Sequence, residues 1–270
     1  MDTDQIELSF LSIFTLITFF IFLIISKNSH KIKKGILLDQ DFIKPQAFHK
    51  SAIGRTGGLA GVISLNIFFI IYYLIFSKIL FEYLFLCNLM FLIGFLDDLK
   101  IKISPSKRLA LMIIFLFTLI YSIPIKILNI DIQYINILLN NEIFSSFFIL
   151  LCFLFIINGA NLIDGFNGLL SVNLIIINSV LIYINLNNDN TEFSVFVIGQ
   201  IIILLAFLLF NFPKAKIFLG DSGAYLFGSL AALNVIITHN LNPNYSSFFF
   251  CILLFYLFFE VFFSFIRKIT

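Results

Sequence analysis

Nine apolar runs, each close to the length of a bilayer crossing, follow one another along the chain. They occupy residues 8–25, 59–76, 79–96, 109–123, 143–157, 169–184, 193–210, 224–238 and 246–266, and each is bounded by charges, Asn, Pro or Gly. A helix needs roughly 20 apolar residues to span the hydrocarbon core, and there its backbone groups must be satisfied within the segment itself. The pattern therefore predicts an all-α fold, a polytopic membrane helix bundle with about nine transmembrane helices. No internal repeat and no attached soluble domain interrupts it, so residues 1–270 read as a single integral membrane domain.

Composition excludes the competing classes. The chain is 60% apolar and 12% charged, with 38 Phe and no Trp, where a soluble domain averages roughly 45–50% apolar and about 25% charged. A water-facing surface cannot be built from this, which rules out a soluble enzyme, a disordered chain and a nucleic-acid binder. The three cysteines, Cys87, Cys152 and Cys251, all lie inside apolar runs, so neither a disulfide framework nor a CxxC metal site is available.

The distribution of charge orients the bundle. Asp2, Asp4 and Glu7 precede the first run, and Lys27, Lys31, Lys33 and Lys34 follow it. A secretory signal carries its positive charge in front, so this segment reads as a retained helix with the N-terminus outside. Alternation then makes 27–58, 97–108, 158–168, 211–223 and 267–270 the inner loops. They hold all of the 17 Lys and Arg except Lys78 and Lys126, as the cytoplasmic excess of basic residues requires.

Six acidic residues matter within this frame. Glu82 and Glu260 fall inside spans, whereas Asp97, Asp98, Asp164 and Asp221 stand at the cytoplasmic ends of helices, in three different inner loops. A single Asp there can simply end a helix. Four on one face of the membrane point to a site, because carboxylates near the bilayer are costly. Asp97-Asp98 is an adjacent pair that needs cations or protons, and Mg²⁺ commonly binds through one or two carboxylates plus substrate phosphates. Lys107 and Arg108 follow as phosphate partners. The segment 158–168 packs Asn158, Asn161, Asp164 and Asn167 among three glycines, and Gly lets backbone approach a ligand closely. Segment 211–223 places Lys214 and Lys216 just before Asp221. Such a set suits phosphoryl transfer by positioning and charge neutralisation, with one soluble and one lipidic substrate.

These segments, GRTGGLAG (54–61), GFLDDLK with SKR (94–108), NGANLIDGFNGL (158–169) and NFPKAKIFLGDSG (211–223), resemble the polyprenyl-phosphate N-acetylhexosamine-1-phosphate transferases, in order and in loop position. The resemblance runs from about Asp39 to the C-terminus. It implies transfer of a sugar-1-phosphate from a UDP-sugar to polyprenyl (undecaprenyl) phosphate, with release of UMP and with Mg²⁺ as cofactor, Mn²⁺ being a substitute. It implies that Asp97 contacts the lipid phosphate or acts as its base, with Asp98 in support, that Lys107 holds phosphate, and that Asp221 is the principal metal ligand with Asn161 a second. Asp164, Asn167, Asn211 and Phe218 would surround the uridine, Phe218 by stacking. Lys50 and Arg108 are further phosphate-binding candidates, and Asn167 stands where many bacterial members have Asp. The wording KAKIFLGDSG is closer to the members that begin O-antigen, teichoic acid or capsule synthesis than to the phospho-N-acetylmuramoyl-pentapeptide transferases, which are the alternative. The expected setting is the bacterial cytoplasmic membrane, with a homodimer compatible.

The family usually adds a His-rich cytoplasmic loop and a tenth span. This sequence stops at Arg267-Lys268-Ile269-Thr270, where that loop would begin, so the expectation is a fragment or a member without the loop. His30 and His49 do not replace it. A rival from another class is a transporter or flippase. Its sites tend to lie near the midplane on broken helices, whereas here only Glu260 is deep enough to fit such a path.

Overall fold

A computed structural model describes residues 3–29, 31, 37–39, 52–101, 103–123 and 125–269. His30, His49 and Lys50 lie outside the described residues. In chain order the elements are α1 (Thr3–Asn28), β1 (Leu38–Asp39), β2 (Ile53–Arg55), α2 (Gly57–Phe76), α3 (Phe81–Asp98), α4 (Pro105–Ser122), α5 (Gln133–Leu139), α6 (Glu142–Ile163), α7 (Leu169–Leu186), α8 (Thr191–Asn211), β3 (Ile217–Phe218), α9 (Gly220–Leu241), α10 (Ser247–Leu253) and α11 (Phe255–Ile269).

All nine apolar runs are helical, as the expected polytopic bundle requires. Among the described residues seven helices, α1, α2, α4, α6, α7, α8 and α9, are long and apolar enough to cross a membrane. The last run is broken into α10 and α11, bent by 64°, and makes an eighth only if the pair is one span. The ninth is α3. It starts at Phe81 and extends through Asp98, so its 18 residues take in Glu82, Asp97 and Asp98. The apolar run and the helix are out of step by two residues at each end, and that offset brings the Asp pair onto the helix.

Local sequence explains where the helices stop and start. Ser77 ends α2 in the left-handed region, with its N–H on the Tyr73 carbonyl. The Ser104 hydroxyl accepts from the Lys107 N–H at the start of α4, with Pro105 at the first helical position, where its missing N–H costs nothing. Asn141 caps α6 by accepting from the Ile143 and Phe144 N–H groups.

Helix α9 is the central post. In its most apolar window 83% of the residues are buried, against 22% in α1 and in α4, so α9 is wrapped by protein while α1 and α4 face outward. Phenylalanines fill much of the packing between α1, α2 and α8: Phe14 meets Phe68 edge-on with ring centroids 5.0 Å apart, and Tyr83 from α3 meets Phe196 at 4.3 Å. A small three-stranded sheet, unforeseen in the sequence, lies at the end of the bundle that carries Asp221. β1 pairs antiparallel with β2, and β2 pairs parallel with β3, with Arg55 opposite Phe218. It ties the two polar loops before α2 and before α9 together.

Candidate active site

The first turn of α9 organises the site. A helix start leaves four N–H groups without partners, and Leu219, the residue before α9, has no side-chain oxygen to offer. Asp98 supplies the cap from α3: its Oδ1 accepts from the Asp221 N–H at 3.1 Å and its Oδ2 from the Ser222 N–H at 3.0 Å. Two glycines make this possible. A Cβ on Gly94 would lie 2.4 Å from the Asp221 carbonyl oxygen, so only glycine allows α3 to cross so closely. Gly220 has φ +78° and would put a Cβ 2.6 Å from Asp98 Oδ2, a conformation other L residues rarely adopt.

Asp97 and Asp98 are successive on α3 and so point about 100° apart. Asp98 is 1% exposed and faces α9. Asp97 turns the other way, and Arg108 of α4 bridges it to α9: Arg108 Nη1 is 2.8 Å from Asp97 Oδ2 and 3.1 Å from Asp221 Oδ2. The guanidinium also lies over the Tyr225 ring, 5.9 Å from its centroid. Arg55, at the end of β2, closes the other side. Its Nε and Nη2 donate to Asp39 Oδ2 at 3.2 and 2.8 Å, and its Nη1 is 3.7 Å from Asp98 Oδ1. Burial alone would lower the Arg55 pKa, but the hydrogen bond and charge of Asp39, then the charges of Asp98 and Asp221, lift it above its ordinary value.

The other sequence-predicted residues divide. Asp164 ends α6, half-buried, and feels the same field: burial first, then the charges of Asp221 and Asp98, push its carboxyl well above the usual range, while Arg55 opposes. Asn161 lines a cavity of about 530 Å³ together with Arg108 and Tyr225. That cavity lies between α4, α6, α9 and α11, and its remaining walls are mostly apolar, including Met112, Leu154 and Phe155. Asn167 sits on the exposed turn before α7, its Nδ2 donating to the Pro213 carbonyl at 3.0 Å. Asn211 is 3% exposed and its Nδ2 holds the Ile217 carbonyl at 2.9 Å, so its amide fixes β3. Phe218 is half-buried in β3 opposite Arg55, and the Lys107 side chain is exposed on the first turn of α4. Glu260 pairs with Arg267 on its own helix at 3.6 Å.

Three contributors escaped the sequence reading. Asp39 carries no signal of its own in the sequence, Arg55 belongs to the GRTGGLAG segment without a role, and Tyr225 lies in an apolar run. A signal existed for Arg55, a charged residue separated only by Thr56 from the Gly pair that opens a span. Nothing in sequence pairs it with Asp39.

Five carboxyls (Asp39, Asp97, Asp98, Asp164, Asp221) meet two guanidiniums (Arg55, Arg108), so the cluster is anionic and suited to a cation. No group of three or more His, Cys, Asp or Glu among the described residues is arranged to hold a metal ion alone. Mg²⁺ does not require that, since it commonly keeps waters and binds one or two carboxylates plus substrate phosphates. Asp97 and Asp221 fit: their Oδ2 atoms converge on one cationic nitrogen.

Comparisons with known proteins give the family. The chain is 30% identical over 154 residues to the phospho-N-acetylmuramoyl-pentapeptide-transferase of Clostridium perfringens (strain 13 / Type A), covering 54% of this chain and 48% of that protein. It is 33% identical over 156 residues to the enzymes of the same name from Listeria monocytogenes serovar 1/2a, covering 54% and 48%, and Streptococcus agalactiae serotype Ia, covering 53% and 45%. The chain thus spans about half the length of the curated relatives it matches. Residues 80–239, which include α3 with Asp97–Asp98 and the first turn of α9, match the model of Glycosyl transferase family 4 over more than half of the chain. The chain belongs to glycosyl transferase family 4.

Proposed function

We propose that the protein transfers a sugar-1-phosphate from a UDP-sugar to a polyprenyl phosphate at the inner face of a bacterial cytoplasmic membrane. One pyrophosphate linkage is exchanged for another: the P–O–P bond of the donor breaks, UMP leaves, and a P–O–P bond joins sugar phosphate and lipid. The observation that carries this reading is Arg108, held jointly by Asp97 and Asp221 at the polar end of a mostly apolar cavity. Reactive phosphates and a lipid tail need those two environments side by side.

In this reading Asp97 and Asp221 would hold Mg²⁺, which when bound would supply positive charge against the phosphate oxygens. Arg108 and the exposed Lys107 contact phosphate, and Lys50 is a further candidate. Asn161 lines the acceptor cavity. Asp98 keeps both oxygens on the α9 backbone and so positions Asp221. Asp164, Asn167 and Phe218 lie near the sheet and the turn before α7 as the uridine side. The curated relatives favour a phospho-N-acetylmuramoyl-pentapeptide as the transferred group over an N-acetylhexosamine-1-phosphate for O-antigen, teichoic acid or capsule synthesis.

The test uses purified protein in detergent with Mg²⁺ and undecaprenyl phosphate. Release of UMP from the UDP-linked muramoyl-pentapeptide, and not from UDP-N-acetylglucosamine, is the expected result. Release from UDP-N-acetylglucosamine alone would move the assignment to the polysaccharide-initiating type. Movement of an intact substrate across vesicles, with no UMP from either donor, would replace the enzyme reading with a transporter.

A further inference from the structure

The geometry points to a second role for Arg108: it is a displaceable counter-ion that occupies the divalent-cation seat between Asp97 and Asp221 and must leave it for a metal to bind. The inference rests on the metal-dependent reading above and goes beyond it, because it makes the chain itself a competitor for its cofactor.

Three observations converge. First, a single nitrogen, Arg108 Nη1, contacts one oxygen from each carboxylate, at 2.8 and 3.1 Å. A cation bound by the same two oxygens would need the same space. Second, the neighbouring groups are engaged elsewhere: Asp98 accepts from the α9 backbone N–H groups, and Arg55 donates to Asp39. Without a cation between them, Asp97 and Asp221 would meet as like charges, an arrangement that is unfavourable at one site. Arg108 therefore holds the two carboxylates together before metal arrives. Third, the guanidinium has somewhere to go. Arg108 also borders the cavity, and the Tyr225 ring lies 5.9 Å away. An aromatic face is a resting place for a guanidinium, and from the cavity wall the displaced group is placed to meet the lipid phosphate. Metal binding and acceptor binding would then be linked through one side chain.

The test needs no turnover. Full-length chain stripped of metal and free of substrate is titrated with Mn²⁺ alone, and bound Mn²⁺ is read from the loss of the free-ion electron paramagnetic resonance signal. Arg108→Gln is expected to tighten Mn²⁺ binding at least about tenfold, because the competitor is gone. Arg108→Lys, which keeps the charge but loses the planar fork, should tighten it by less. Lys107→Gln removes a neighbouring charge that does not occupy the seat and should change affinity by less than about twofold. In metal-free buffer Arg108→Gln should melt below the wild type and recover the difference when Mn²⁺ is added.

Unchanged or weaker Mn²⁺ binding in Arg108→Gln overturns the inference. So does a gain in Lys107→Gln equal to that in Arg108→Gln, which would mean diffuse charge rather than a shared seat, and so does failure of the wild type and both Arg108 variants to bind Mn²⁺. If Arg108→Gln does not fold, Arg108→Lys decides, with unchanged affinity counting against. A wrong donor or absent UMP release would sink the proposed reaction but leave the Mn²⁺ competition intact, so the two failures are distinguishable.

Discussion

Helix α9 begins among charges and ends among amides. At its first turn stand Asp98 on the backbone N–H groups, Asp221, and the guanidiniums of Arg55 and Arg108. From Asn234 onward its polar partners are neutral. Asn234 Nδ2 donates to Asn178 Oδ1 at 3.2 Å and to Gln200 Oε1 at 2.8 Å, and Gln200 Nε2 returns a bond to Asn234 Oδ1 at 3.3 Å. Near the far end Asn185 Nδ2 donates to Thr238 Oγ1 at 2.9 Å and Asn242 Nδ2 to Asn185 Oδ1 at 3.0 Å. Amides pair donor with acceptor and leave little demand for a ligand. Carboxylates in excess over guanidiniums leave a demand that another cation, or a proton, satisfies. The far end thus joins α7, α8 and α9, and the site end recruits.

The comparison breaks most sharply if the charged end can be neutralised without loss. Asp97→Asn and Asp221→Asn each remove a convergent oxygen charge, and we expect UMP release to fall at least about a hundredfold, in the range of losing an electrostatic contact to a transferring group. Both variants should still fold, since the Asp98 cap is untouched. The chain has no Trp, so folding is best followed with a thiol-reactive dye on heating; Cys87 is buried and reports opening. Full activity in both variants would end the site assignment.

A smaller effect tests the packing that makes the charged end possible. In Gly94→Ala the added methyl would lie 2.4 Å from the Asp221 backbone oxygen. No rotamer relieves a clash with backbone, so α3 must move off α9. We expect a loss of about 1–3 kcal/mol, typical of overpacking, together with reduced UMP release as Asp97 withdraws from Asp221. A fully stable and active Gly94→Ala would mean that the close crossing does not set the site.

At the neutral end, Asn234→Leu removes three amide hydrogen bonds. Inter-helical side-chain bonds in membranes average about 0.6 kcal/mol, so the loss should be roughly 1–2 kcal/mol in thermal unfolding. UMP release per folded molecule should stay within about twofold. A collapse of activity with preserved stability would make the amide cluster part of the site and erase the distinction between the two ends.

The sequence made one end more legible than the other. Membrane helices announce themselves by length and hydropathy, and the polar residues of the site stand out against apolar runs, which is why Asp97, Asp164 and Asp221 were found as one face. Two things were hidden. Asp97 and Asp98 look equivalent as a pair, yet successive helical positions diverge, and only the crossing at Gly94 decides which of them caps α9. Asn178, Gln200 and Asn234 each stand alone in sequence within a span, and their pairing across α7, α8 and α9 depends on how the helices rotate against each other. The sheet escaped for a related reason: strands of two or three residues carry no period, and β2–β3 joins loops more than 150 residues apart.

The last distinction is one of pH, and Asp164 is the probe. Its carboxyl is raised well above the ordinary range by burial and by the charges of Asp221 and Asp98, against Arg55. The folded state therefore disfavours the ionised form more than the unfolded chain does, where the pKa is about 3.9. Below about pH 4 both states are protonated and the site carries no penalty. As pH rises from there through the folded-state value, the unfolded chain releases its proton first and stability is lost, after which the deficit stays constant. Asp164→Asn removes that titration. It should melt with the wild type near pH 4 and about 2–4 °C above it at pH 8, whereas the deficit of Asn234→Leu should be the same at both pH values. A shift for Asp164→Asn that does not change with pH would place Asp164 outside the field of the carboxylate cluster, and the charged end would then consist of α3, α4 and α9 without α6.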